Sequence, residues 1–67
     1  MMTVNEVNER VERVRVLSGD PESAHSSEDS LWLDVLTDIA LGRCDDPAAV
    51  AAAAIKTQDI KFARWCA

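Results

Sequence analysis

Glu22, His25 and either Glu28 or Asp29 are spaced three or four positions apart. A continuous helix would therefore gather an imidazole and carboxylates on one face. A histidine flanked by carboxylates is the donor set for a divalent metal or for proton transfer. Ser23, Ser26 and Ser27 surround the cluster, however, and mark a joint between loop and helix. At such a joint the positive end of a helix dipole accounts for the carboxylates, and capping or a tertiary hydrogen bond accounts for His25. The pattern assigns no metal, no cofactor and no catalytic residue, and the chain is expected not to be an enzyme.

Cys44 and Cys66 are the other candidates for chemistry. Neither has the Cys-x-x-Cys spacing or the neighbouring histidine that a zinc site requires. A straight helix between them would hold them roughly 30 Å apart at about 1.5 Å per residue. A disulfide needs Cα atoms within about 7 Å, so only a sharp reversal near Thr57 would join them. An inert, reduced pair is the expectation. Phe62, Arg64 and Trp65 cluster near the last residue. They either close the core or form a partner-binding hot spot, for which Trp and Arg are favoured.

The elements that would position these residues are helical. Thr3-Val4-Asn5-Glu6 has the spacing of a capping box, and Val4, Val7, Val11 and Val14 fall on one helical stripe. Glu6 with Arg10 and Glu9 with Arg13 make i,i+4 pairs in the favoured order. Ser18-Gly19 ends this first helix, with Gly19 suited to a left-handed cap. Asp20-Pro21 and Asp46-Pro47 each read as a cap followed by proline at a first helical position. The first allows a short turn of helix near 21–25. Ser26 and Ser27 offer fresh caps for a second helix, in which Leu31, Trp32, Val35, Leu36, Ile39 and Ala40 form a wide apolar face. Leu33 and Leu41 widen it, Asp34 and Asp38 mark the wet side, and Gly42 stops it.

The third helix begins in an alanine run and carries Ala51, Ile55, Phe62 and Trp65 on one stripe. Alanine permits close approach, so a larger residue at Ala51 is expected to overpack. Lys61 and Arg64 suit the last turns, and no glycine or proline forces a break near Thr57. The expected fold is all-α: a three-helix bundle with helices at about 4–17, 27–41 and 47–65. At 67 residues, against about 100–200 for a typical domain, residues 1–67 form one helical domain.

The net charge of −5 is concentrated in the middle. Asp20, Glu22, Glu28, Asp29, Asp34, Asp38, Asp45 and Asp46 face Arg43 alone between residues 18 and 46. Direct nucleic-acid binding needs a basic patch, and none is present. A helix-turn-helix reading fails as well. The third helix starts Asp46-Pro47-Ala48-Ala49-Val50 and offers nothing to read base edges. No signal segment or membrane span is legible, so a cytoplasmic location is expected, in the host cytoplasm if the chain is phage-encoded.

The stretch Asp59-Ile60-Lys61-Phe62-Ala63-Arg64-Trp65-Cys66-Ala67 resembles the ending of small acidic helical proteins of actinobacteria and their bacteriophages. Ala24-His25-Ser26-Ser27-Glu28-Asp29 followed by Leu31 is similar in the same way. The resemblance covers most of the chain and implies an actinobacterial or phage origin. The family has no assigned activity, so the resemblance carries over no functional residue.

Together these features lead to the expectation of a small accessory or regulatory factor that binds a protein. Asp20, Glu22, Glu28, Asp29, Asp34 and Asp38, or Phe62, Arg64 and Trp65, would carry the contact. Two rivals stand beside it. One is an acidic mimic of nucleic acid that fills a basic DNA-binding groove. The other is a self-assembling helical protein, a homo-oligomer built on the valine stripe.

Overall fold

Thr3 opens the first helix as its side chain demands. Its Oγ1 accepts the Glu6 amide at 3.2 Å, and the hydroxyl donates to Glu6 Oε1 at 3.3 Å. The helix that follows, α1 (Val4–Val16), turns Val7, Val11 and Val14 inward. A computed structural model describes residues 2–64 of the chain. They fold as an all-α bundle whose other helices are α2 (Pro21–Ala40) and α3 (Pro47–Ala54), each helix packing on the other two. Among the described residues no strand forms. Met2 makes an isolated parallel bridge with Cys44, its amide donating to the Arg43 carbonyl at 3.1 Å.

The valine stripe, expected from periodicity, supplies one wall of the core. Ala24, Leu31 and Val35 of α2, with Val50, Ala53 and Ala54 of α3, supply the others. Those three valines are buried within the chain against α2 and α3. The expected Glu6–Arg10 and Glu9–Arg13 pairs do not form. Arg10 reaches across to Asp34 at 2.7 Å, and Arg15 pairs with Glu12 at 2.9 Å.

α2 begins at Pro21, so the expected turn near 21–25 and the helix from 27 are one 20-residue helix. Asp20 explains the difference. Its carboxylate accepts from the Ser23 amide at 3.4 Å and from the Ser23 hydroxyl at 3.0 Å. The cap is thereby complete at the first turn, and Ser26 and Ser27 simply continue the helix. At the other end, Gly42 adopts φ +70. Its amide donates to the Ile39 carbonyl at 3.1 Å, and the Arg43 amide donates to the Asp38 carbonyl at 2.8 Å. These are the two bonds of a Schellman cap, which needs a left-handed residue at that position. Gly19 is not left-handed, contrary to expectation. α1 instead tightens into a 3-10 turn at Leu17–Gly19.

α3 is eight residues long, not the expected run to 65. It is capped by Asp46, which accepts the Ala49 amide at 3.1 Å. After Ala54 the chain winds into a 3-10 turn, Ile55–Asp59, and then leaves the helix altogether. Side chains from elsewhere claim the backbone here. The Trp32 indole N–H donates to the Ala54 carbonyl at 3.2 Å, and Arg64 Nη2 donates to the carbonyls of Thr57 and Ile60 at 2.9 and 3.2 Å. Each takes a carbonyl that a continuing helix would use. Phe62 therefore falls off the stripe that Ala51 and Ile55 begin, and Lys61 and Arg64 lie beyond any helix. Trp65 and Cys66 lie outside the described residues.

Candidate functional site

The short, alanine-rich α3 lies against a long α2 that carries more large apolar side chains than its partner can cover. Trp32, Val35 and Leu36 of α2 and Ala51, Ala54 and Ile55 line an apolar groove enclosing about 110 Å³. Both sets have i, i+3, i+4 spacing, which places each on one helical face. Opposite Trp32 and Leu36 stand two alanines, and the volume they lack is the groove. The expected wide face of α2 is thus only half used. Leu31 and Val35 are buried, while Leu33 and Leu36 are each 65% exposed and Trp32 is 37% exposed. Ile55 is also exposed, and Ala51 is a groove-lining residue and not a tight helix contact. The buried residues of α3 are Val50, Ala53 and Ala54.

The Trp32 ring is held in place. Its indole N–H donates to Thr57 Oγ1 at 3.0 Å as well as to the Ala54 carbonyl. Thr57 is fully buried and adjoins a second polar arrangement. Arg64 donates through Nε and Nη2 to the two oxygens of Glu28, both at 3.0 Å, while its guanidinium stacks 4.0 Å from the centre of the Phe62 ring. The Arg64 hydrogen bond holds the Glu28 carboxyl below its ordinary value of 4.5, helped by the Thr57 hydroxyl and the charges of Arg64 and His25. Burial opposes this and is outweighed. The same bond raises Arg64 above its ordinary value.

Several of the residues expected to meet a partner have internal roles. Glu28 is 3% exposed and committed to Arg64, so neither is a free surface charge. Phe62 packs against the core. Asp20 is the cap of α2, and Asp34 is paired with Arg10. Glu22 and Asp29 are exposed, and Asp38 is half-buried. Trp65 lies outside the described residues. The histidine cluster does not assemble. Glu28 turns inward while Asp29 stays outside, where one oxygen lies 3.4 Å from His25 Nε2. His25 Nδ1 is buried without a hydrogen-bond partner. Among the described residues no group of three or more metal-ligating side chains converges. Cys44 is a free, half-buried thiol. Burial, then Asp38 and Asp45, raise its pKa, which makes it a poor nucleophile.

A polar cleft of about 420 Å³ separates α1 from α2, lined by Arg10, Arg13, Ser26, Ser27 and Ser30. No hydrophobic residue lines it, and Asp34 already neutralises Arg10. The groove residues Leu36, Ala51 and Ile55, and the exposed Leu33 on the same helix, were not singled out as a site from sequence. The signal was present in the uncharged run from Ala48 to Ile55 beside an apolar face wider than one neighbour can bury. No family model, curated protein or solved structure matches the chain. Among the described residues no helix is long and apolar enough to cross a membrane.

Proposed function

We propose that this chain is a small, non-enzymatic accessory or regulatory factor whose α2–α3 groove holds an apolar segment of another protein. The observation that carries this reading is the groove itself. Its lining is wholly apolar, and exposed leucines stand beside it although the chain's own core is closed elsewhere. Adjoining exposed apolar side chains are a mark of interaction surfaces. The resemblance to actinobacterial and phage proteins suggests a host protein as target, met in the cytoplasm. An acidic mimic of nucleic acid is less well supported, because Glu28 is internal and Asp34 is already neutralised.

The test is paired capture from an actinobacterial lysate with the wild-type chain and with Leu36→Glu. Circular dichroism would first establish that the variant is folded. A stoichiometric protein held by the wild type and lost by the variant is expected. Equal retention by both would place the contact elsewhere and sink the proposal.

A further inference from the structure

The charge around the groove is one-sided. With Glu28 paired to Arg64 and Asp34 to Arg10, α2 keeps Glu22, Asp29 and Asp38 and has no lysine or arginine of its own anywhere from Pro21 to Ala40. α3 carries no charge at all and follows Asp45 and Asp46 directly. The two helices run antiparallel, since a six-residue connection, 41–46, joins them and Trp32 reaches Ala54 at the far end. One mouth of the groove therefore lies beside Asp45 and Asp46, both exposed. The other lies beside Asp29, which shares the outer face of α2 with Leu33 and Leu36 at i, i+4, i+7 spacing. Lys56, which follows Ile55 in the chain, is exposed and brings one positive charge to the end of α3.

We infer that the occupant of the groove is an amphipathic helix of basic character, with an apolar stripe seated against Leu36 and Ala51 and extending over the exposed Leu33. Its positive side chains reach Asp29 at one mouth and Asp45, beside the capping Asp46, at the other. This rests on the groove being the contact surface. The span from Asp29 to the end of α2 is 11 residues, roughly 17 Å at about 1.5 Å each. The partner's basic residues are accordingly about three helical turns apart, flanking the apolar stripe. A second copy of this chain is a poor occupant. It would lay one lysine-free, arginine-free acidic helix on another, and juxtaposed like charges disfavour such pairing. Opposite charge would also hasten encounter with the basic helix and make binding sensitive to salt.

The probes are three labelled synthetic helices. The first has leucines at i, i+3 and i+7 with lysines at either end of the stripe, the second replaces lysine by glutamate, and the third replaces leucine by alanine. Fluorescence anisotropy is read against the full chain, and sedimentation reports its oligomeric state. The basic leucine helix is expected to bind, and the glutamate and alanine helices to bind far more weakly. Asp29→Asn with Asp45→Asn should weaken binding about tenfold, and Leu36→Glu about 30-fold or more. Equal binding of the lysine and glutamate helices, with Leu36→Glu abolishing both, would overturn the charge assignment and leave the groove reading standing. A dimer that Leu36→Glu converts to monomer, with no peptide bound, would make the second copy the occupant and overturn both. A monomer that binds none of the three overturns the inference.

Discussion

The Glu28 carboxylate and the Arg64 guanidinium, 36 positions apart in the chain, meet through two parallel hydrogen bonds of 3.0 Å. The pair is unevenly buried: the Glu28 side chain is 4% exposed and that of Arg64 35%. Removing one partner leaves the other with whatever solvation its position allows. Arg64→Met strands a buried carboxylate and frees the carbonyls of Thr57 and Ile60, and should cost about 3 kcal/mol. Glu28→Gln leaves a guanidinium that water can still reach, and should cost about 1 kcal/mol. Urea denaturation of both variants checks the order. A larger loss in Glu28→Gln would contradict it.

The same pair sets a pH dependence. The folded pKa of Glu28 lies below its ordinary value of 4.5. Its stabilising contribution is therefore fully present above that ordinary value and is lost as pH falls through the folded one. Thermal midpoints followed downward from pH 6 should drop less in Glu28→Gln than in the wild type. Parallel curves would mean that Glu28 contributes nothing to acid sensitivity.

Gly42 and Gly19 should respond oppositely to alanine. Gly42 holds φ +70, where a Cβ is strained even though nothing lies within 4 Å of it. Gly42→Ala should cost about 1 kcal/mol. Gly19 has no positive φ and equally open surroundings. Gly19→Ala should be neutral or stabilising by about 0.5 kcal/mol, by restricting the unfolded chain. Chemical denaturation of the two variants side by side is the measurement.

Ala51 and Ala53 form a second contrasting pair. Ala53 is buried, so Ala53→Leu should cost about 1–3 kcal/mol by overpacking. Ala51 lines the open groove, and Ala51→Leu should change the melting temperature little while filling the proposed docking site. A large loss of stability in Ala51→Leu would mean that the groove is closed in solution.

Local signals were legible and non-local ones were not. The Thr3 cap, the Asp46-Pro47 start and the valine stripe all act within one or two turns, and each marks its element correctly, whereas Asp20-Pro21 reads as opening only a short turn and in fact opens the whole of α2. The true start of α2 was obscured because Ser23, Ser26 and Ser27 look like caps. Their fate depends on Asp20 having capped the helix already. The end of α3 is set by Trp32 and Arg64 seizing carbonyls from 22 and 7 positions away, and no periodicity records that. The groove was half legible. The excess of apolar residues on α2 could be counted, but which of them stay uncovered depends on α3 being only eight residues long.

Both extremities of the described chain are fastened to its middle, Met2 through the Arg43 carbonyl and Arg64 through Glu28. Fraying from either end therefore has to break a contact with a distant segment, so partial opening is costly relative to complete opening. The bundle should lose its helices in one cooperative event. In native-state hydrogen exchange, the slowest amides of α1, α2 and α3 are expected to share a single opening free energy. A helix that exchanged well ahead of the others would show that one of the two fastenings is slack.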